Sequence, residues 1–469
     1  MARIHFIGIC GTAMGTLAAM LKAKGHDVQG SDHGMYPPMS DFLVHENIRV
    51  FDTFNAGHIT PEIDWVVVGN AVSRGNPELE EVLDRKIRFV SLPEAIRDHF
   101  LWQSRSVVIS GTHGKTTTTA LTAWLLTSGG LDPSLLVGGI ALNFDGSYRL
   151  GHGREFVIEG DEYDSAFFDK SAKFLKYLPD IAVVGNLEYD HADIYPDLES
   201  LRVAFRRMLN LVPRRGRVLV GADSPEAMRL VAGARCEVET FGLSPEAQWR
   251  ATAIHPVGEH LHFEVWRHGE PFGRFESPLY GEHNVRNALA ALAVGHFVGL
   301  AADELRSGLA SFKGVRRRME LRGREGGVSV FDDFAHHPTA ILETLRAVKW
   351  SHPERRIWAI FEPRSATACR RIFQDDFAHA FVASGADEVL LPNVFRASLP
   401  ESERLSVEQL VHDINAPGRR ARHIPTADGI VETVAEEARD GDLVIVMSNG
   451  GFDGIHDKLL AALASRPRP

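Results

Sequence analysis

The chain has 469 residues, too many for one ordinary core, so two or three domains are expected. Its composition is that of a globular protein and excludes collagen-like and wholly disordered classes. With 51 basic and 62 acidic residues the net charge is −11, which argues against a nucleic-acid partner but leaves room for phosphate-bearing small ligands, since these need only local dipoles and a few cations.

The chain opens on Met-Ala-Arg-Ile-His-Phe-Ile-Gly, which runs straight into a strand pattern and lacks the long apolar core of a signal peptide. Short Val- and Ile-rich runs then recur at Ile4–Ile7, Trp65–Val68, Val107–Ser110, Phe156–Ile158, Ile181–Val184, Val218–Val220, Val328–Phe331, Ile357–Phe361 and Leu443–Met447. Amphipathic helical stretches lie between many of them. Apolar strands alternating with helices predict parallel sheets covered on both faces. Domain boundaries are expected near Gln103–Arg105 and near Lys313–Gly314. The region 236–280 alternates in shorter β-like runs and is expected to be a small antiparallel addition. The longest apolar helix, about 288–302, is too short to span a bilayer and contains His296. Cys10, Cys236 and Cys369 are odd in number and far apart, with neither zinc-ligand nor disulfide spacing, as suits a reducing cytoplasm. The tail Ser465–Pro469 reads as frayed, and no heptad or isolated apolar patch marks an assembly surface, so a monomer or weak homodimer is expected.

Gly8-Ile-Cys-Gly11-Thr12-Ala-Met14-Gly15 follows the first strand, and Gly30-Ser31-Asp32 ends the second. This is close to a dinucleotide fingerprint with its ribose-binding acid, but the glycine spacing departs from Gly-x-Gly-x-x-Gly. A helix N-terminus there favours a diphosphate. A UDP-sugar fits better than NAD, although an NAD-dependent oxidoreductase is the competing reading of this loop alone.

Ser110-Gly111-Thr112-His113-Gly114-Lys115-Thr116-Thr117 follows the strand Val107–Ile109 and opens a helix expected over 118–126. Glycines there let backbone N–H groups converge on phosphate, Lys115 reaches the β- and γ-phosphates, and the Thr116 hydroxyl can hold Mg²⁺. Ile109 stands where the strict phosphate-loop pattern wants glycine, so the motif is a shortened Gly-x-x-Gly-Lys-Thr. Glu159-Gly-Asp-Glu-Tyr-Asp164 and Asn186-Leu-Glu-Tyr-Asp-His191-Ala-Asp193 follow the next two strands, at the carboxyl ends where α/β ligands bind. Carboxylates there can complete a Mg²⁺ shell. Taken alone, the acids read equally as a solvated loop, and His191 as a hydrogen-bonded loop residue. Gly281-Glu-His283-Asn284-Val-Arg-Asn287 opens the helix 288–298, with Asn284 a candidate N-cap. Arg316-Arg-Arg318 and Asp332-Asp333-Phe-Ala-His336-His337-Pro338 come next, each ambiguous by itself.

Taken in order, these motifs resemble the Mur ligase family over essentially the whole chain. Within it the sequence is most like the UDP-N-acetylmuramate branch. The segments Val68–Pro77, Asp161–Lys170, Glu362–Ser365 and Met447–His456 are similar to members that attach a tripeptide, and members that attach L-alanine are the nearest rivals. The resemblance implies an α/β protein of three domains: a Rossmann-like UDP-sugar domain (1–104), a central P-loop ATPase-type domain with a mostly parallel sheet (105–313), and a C-terminal Rossmann-like domain for the amine (314–469). It implies an ATP- and Mg²⁺-dependent ligase that phosphorylates the lactyl carboxylate of UDP-N-acetylmuramate. The amine of L-alanyl-γ-D-glutamyl-meso-diaminopimelate then attacks the acyl phosphate, as part of cytoplasmic peptidoglycan recycling. By motif match, Lys115 and Thr116 serve phosphates and the first metal, and Glu159 and His191 bind the metal pair. Gly111 to Thr117, His283, Asn287, Arg318 and Asp333 hold ATP, with Lys115, Glu159, His191, Arg318 and His336 forming the catalytic set. Gly8, Gly11, Thr12, Met14, Gly15, Ser31, Asp32 and Asn70 take the UDP-sugar, and Arg364, Ser448 and Asn449 are peptide candidates. Arg318 and Asp333 act from the third domain, so that domain must close on ATP. Several relatives add a carbamylated lysine downstream of the histidine. This chain has Arg202, Arg206 and Arg207 between His191 and Asn210 and no lysine, so that feature is not carried over.

Overall fold

The computed structural model describes all residues except 36–38, 192–193, 259, 396–398 and 467–469, so Asp193 and the last residues of the tail lie outside the described residues. Every apolar run marked in the sequence is a strand, and the strands fall into three large sheets that follow one another along the chain.

The first sheet has five parallel strands in the spatial order Arg49–Phe51, Asp27–Ser31, Arg3–Ile7, Trp65–Val68 and Phe89–Ser91. Ile4, Phe6, Val66, Val67 and Val68 are buried, as strands covered on both faces must be. Asn76 caps the helix Pro77–Asp84 by accepting from the N–H groups of Glu78 (3.0 Å) and Leu79 (3.2 Å), with proline at the first helical position. That cap fixes Glu78 beneath the sheet. Its buried carboxylate meets His5 Nε2 (3.1 Å), His58 Nδ1 (2.7 Å), the backbone N–H of Asn55 (3.2 Å) and the Ser31 hydroxyl.

The second sheet has ten strands. Glu270–Ser277, His260–Arg267, Trp249–Val257, Glu237–Gly242, Arg217–Gly221, Ile181–Val184, Arg105–Ser110, Glu155–Glu159, Ser134–Ala141 and Gly146–Arg149 lie side by side in that order. Arg105–Ser110 is flanked by Ile181–Val184 and Glu155–Glu159, both parallel to it. The phosphate loop therefore leaves the sheet between the two acidic loops. The antiparallel addition is narrower than the alternation suggested. Glu237–Gly242 runs parallel to Arg217–Gly221, and only the strands from Trp249 onward form an antiparallel meander.

Two helix expectations need correction. The phosphate-loop helix runs Lys115–Ser128, longer at both ends than 118–126. The apolar helix runs Glu282–Phe297 and stops before Gly299, whose φ of +113° breaks the spiral; Ala302 belongs to the next helix. Gly281 is its N-cap, so Asn284 lies inside the first turn and donates its amide to the Tyr280 carbonyl (2.8 Å). A Cβ at Gly281 would stand 2.6 Å from Ala347 Cβ, so glycine there lets the third domain approach. No helix among the described residues is long and apolar enough to cross a membrane.

The third sheet orders Glu320–Glu325, Val328–Asp333, Leu443–Met447, Ile357–Phe361, Glu388–Leu391 and Arg420–His423, parallel except for its first strand. The connection into it stays attached to the central sheet: Val315 bridges Ala141, and Arg316 N–H donates to the Ile140 carbonyl (2.9 Å). Asn70 of the first sheet's loops donates to Asp164 Oδ1 (2.9 Å), so the crevice above the first sheet runs on into the acidic loop of the second.

Candidate active site

Gly111 and Gly114 shape the phosphate loop. Their φ values are +132° and +80°, which disfavour any residue with a Cβ. A Cβ at Gly114 would stand 2.4 Å from Asn287 Oδ1, and one at Gly111 would stand 3.0 Å from the Asn186 carbonyl oxygen. Asn186 clamps the loop, its carbonyl accepting from Thr112 N–H (3.1 Å) and its Oδ1 from His113 N–H (2.8 Å). The Thr112 hydroxyl accepts from Glu188 N–H (2.8 Å). Thr116 and Thr117 are buried in the first turn of the helix, where N–H groups have no partner within the helix. This cradle is what a nucleotide phosphate requires.

Lys115 does not extend from the loop. Its ammonium donates to the carbonyls of Gly111 (2.8 Å) and Thr112 (3.3 Å) and pairs with Glu162 Oε1 at 3.0 Å. Burial works against its charge, yet Glu162, Asp161 and Glu159 outweigh burial and hold its pKa above the ordinary lysine value. The same Glu162 Oε1 lies 3.0 Å from His191 Nε2, while Glu162 Oε2 is buried with no hydrogen-bond partner among the described residues. Glu162 thus organises two expected site residues without having been singled out itself. It was one of four acids in a short run, and spacing alone does not say which one turns inward.

Glu159 accepts from the Thr116 hydroxyl through Oε1 (3.0 Å) and from Gly138 N–H through Oε2 (2.7 Å). Burial raises its pKa. A buried carboxylate beside a threonine hydroxyl is the oxygen-donor set that suits Mg²⁺. His191 has a positive φ of 56°, a conformation rare outside glycine and asparagine, and its pKa is raised because Glu162 and Asp190 overcome burial. Asp190 Oδ1 accepts from His191 N–H (2.7 Å) and from the Thr367 hydroxyl of the third domain (2.8 Å). Arg202 is committed to Glu226 and Glu199, and Arg206 to Glu199.

The third domain closes the other side. Arg318 Nη2 lies 3.5 Å from the Thr116 hydroxyl, and its guanidinium sits 5.0 Å from the Phe334 ring centre. Asp333 is buried and already accepts from Ala335 N–H and Met319 N–H (2.8 Å each), so its carboxylate first fixes the local backbone. Burial raises its pKa against the pull of Arg318. His283 Nδ1 is buried 3.7 Å from Glu343 of the third domain, with no hydrogen-bond partner among the described residues. Asn287 donates to Asn284 Oδ1 (3.0 Å). His336 Nδ1 lies 2.9 Å from the Phe334 carbonyl. A carbonyl only accepts, so Nδ1 carries the proton and Nε2 keeps its lone pair. Burial lowers the His336 pKa, keeping the ring neutral.

At the carboxyl ends of the third sheet, Arg364 lies 3.7 Å from the Phe395 ring centre and 3.4 Å from Glu362. Asn449 Oδ1 is buried without a partner among the described residues. Ser448 differs from its expected role: it is fully buried and its hydroxyl is spent on Glu362 Oε2, so it orients Glu362 and has no free group to offer a peptide.

In the first domain the Ser31 carbonyl accepts from Gly8 N–H (2.8 Å) and Ile9 N–H (3.1 Å), and Asp32 Oδ2 accepts from Cys10 N–H (2.7 Å). Gly11 caps the helix that begins at Thr12. Met14 is buried against Gly69, and a Cβ at Gly15 would stand 2.5 Å from Met39 Cε. The Ser31 side chain points away from this loop to buried Glu78, so only its backbone shapes the crevice.

A series of three domains on mostly parallel sheets, with a phosphate loop and buried acids in the middle domain and an arginine reaching in from the last, has the make-up of a nucleotide-dependent phosphoryl-transfer enzyme. Comparisons with known proteins agree. Residues 3–101 match the Mur ligase family catalytic domain, 109–295 the Mur ligase middle domain, and 317–450 the Mur ligase glutamate ligase domain. The chain belongs to the Mur ligase family. It is 40% identical over 466 residues, 99% of each chain, to the UDP-N-acetylmuramate–L-alanyl-γ-D-glutamyl-meso-2,6-diaminoheptandioate ligase of Escherichia coli (strain K12). A crystal structure of a murein peptide ligase from Psychrobacter arcticus 273-4 covers 100% of both chains at 35% identity with a TM-score of 0.72. The UDP-N-acetylmuramate–L-alanine ligase of Anaeromyxobacter sp. (strain Fw109-5) is 35% identical over 462 residues, 98% of each chain. The N-terminal glycine loop thus belongs to a Mur ligase domain, and the oxidoreductase reading falls.

Proposed function

We propose that this protein joins UDP-N-acetylmuramate to L-alanyl-γ-D-glutamyl-meso-diaminopimelate at the expense of ATP, in the cytoplasmic recycling of peptidoglycan. The observation that carries the reading is the end-to-end 40% identity with the Escherichia coli enzyme of that name, which includes the third domain where the amine must be chosen. ATP, when bound, supplies a phosphoryl group that turns the lactyl carboxylate into an acyl phosphate open to attack by the amine.

The residues divide the work by position. The glycine cradle and the helix N-terminus after it suit the ATP phosphates. Thr116 and Glu159 would hold Mg²⁺, and His191 lies beside them for a second ion. Lys115 and Arg318 bring positive charge to a place where two anions must meet. Glu162 pairs with Lys115 and orients His191. His283 and Asn287 suit the adenine, and Asp333 the ribose, from the closed third domain. The first-domain loop from Gly8 to Gly15, with Asp32 and Asn70, suits the UDP-sugar. His336, with its proton on Nδ1 and the Nε2 lone pair available, suits the role of base for the attacking amine. Arg364, over the Phe395 ring, suits a peptide carboxylate, and Asn449 Oδ1 a peptide N–H.

Incubation with UDP-N-acetylmuramate, ATP, Mg²⁺ and the tripeptide tests this. Mass spectrometry is expected to show the UDP-muramyl tripeptide with one phosphate released per product. ATP consumption without that product, or no reaction, overturns it.

A further inference from the structure

Outside the oxygen-donor site lies a second group of ligand-type side chains, His113, Glu188 and His337, whose donor atoms all fall within 4.8 Å of one another. Each comes from a different element. His113 sits in the phosphate loop, Glu188 follows the strand Ile181–Val184, and His337 caps the helix Pro338–Ser351 of the third domain. Glu188 Oε2 is the centre: His113 Nε2 lies 3.1 Å away and His337 Nδ1 3.6 Å. The Thr339 hydroxyl donates to that same oxygen at 2.6 Å. The two imidazole rings are 4.7 Å apart, centre to centre. His337 is buried, and its Nε2 has no hydrogen-bond partner among the described residues. Its Nδ1 accepts only a long bond, 3.4 Å, from Thr339 N–H, so its lone pair is weakly used.

We propose that His113, Glu188 and His337 form a transition-metal site of the zinc class that ties the phosphate loop to the third domain and holds the enzyme closed. Two imidazoles and one carboxylate, with the fourth position left to water, is a donor set that suits Zn²⁺. Mg²⁺ prefers an all-oxygen shell and is the wrong ion for it. Tetrahedral zinc with bonds near 2.05 Å needs donors about 3.4 Å apart, close to the 3.1 and 3.6 Å at which the two imidazoles already stand from Glu188 Oε2, while all three donors lie within 4.8 Å of one another. The ligands bridge two domains that must separate for nucleotide exchange, so occupancy inhibits turnover. The proposal is independent of which amine the enzyme uses.

Equilibrium dialysis of the metal-stripped full chain against Zn²⁺ alone tests it. Glu159→Gln removes the oxygen-donor site as a competitor. His337→Asn retains a helix-capping side chain, and Glu188→Gln retains an acceptor for Thr339, so either reports on ligation rather than on folding. Wild type and Glu159→Gln are each expected to keep one tight Zn²⁺, while His337→Asn and Glu188→Gln lose affinity by at least about 100-fold. Co²⁺ in the wild-type site should give the strong visible bands of four-coordination. A tight ion lost in Glu159→Gln but kept in both other variants, or no tight ion in any form, overturns the proposal.

Discussion

Glu162 holds two side chains in place at once, Lys115 and His191, through a single oxygen. Replacing it with glutamine removes one of the three carboxylates, with Asp161 and Glu159, that offset the burial of Lys115, and loosens the orientation of His191. Glu162→Gln is therefore expected to lower activity roughly 10- to 100-fold and to raise the Mg²⁺ concentration needed for half-maximal rate, with folding intact by circular dichroism. An unchanged Mg²⁺ dependence would deny it this role. His336 carries the pH argument. The base form must be free, and burial lowers its pKa below the ordinary 6.5, so the acid limb of kcat/KM should lie below pH 6.5. His336→Gln should cost about 10²- to 10⁴-fold in kcat and abolish that limb. A retained limb would assign it to another group.

At the scale of elements, the nine marked strands were legible because each is a short apolar run, and their parallel order followed from alternation with helices; polar strands such as Glu320–Glu325 and Arg420–His423 carry no such run and were not marked. Helix limits were less legible. Gly281, rather than Asn284, caps its helix, and the tight approach of Ala347 that calls for a residue without a Cβ there is a contact invisible from local sequence. The buried cluster around Glu78 escaped notice for the same reason: His5, Ser31, His58 and Glu78 are spread over 74 positions and meet only when the helix Pro77–Asp84 docks. Burial pushes the Glu78 pKa up, but bonds from His5, Ser31 and His58 prevail and leave it below the usual 4.5. The folded state then binds fewer protons than the unfolded one between those two pKa values. Its contribution to stability is present above about pH 4.5 and lost as pH falls through the folded value. Glu78→Gln should destabilise the protein by about 2 kcal/mol at pH 7 and flatten this acid dependence, as read from urea midpoints between pH 3.5 and 7. A midpoint equal to wild type at pH 7 would contradict the account.

For the whole molecule, the motif order along the chain made the family legible, since phosphate loop, acids, arginine and histidines must converge from separate domains. The partners across the domain seam were not. Thr339 on Glu188 and Thr367 on Asp190 join the third domain to the central one, yet isolated threonines carry no motif. Ser448 shows the opposite limit: a serine after a strand read as a ligand contact, and packing gave its hydroxyl to Glu362. On the proposed function the amine is chosen on the third domain, where Arg364 lies over Phe395 and Asn449 Oδ1 is buried without a partner among the described residues. The most direct measurement is therefore phosphate release from UDP-N-acetylmuramate and ATP with L-alanine, dipeptide, tripeptide and longer stem peptides in parallel. The tripeptide should give the highest kcat/KM, at least about 100-fold above L-alanine, the factor worth roughly 2.7 kcal/mol of transition-state binding. Release with L-alanine equal to or faster than with tripeptide would contradict the account and make the protein an L-alanine ligase.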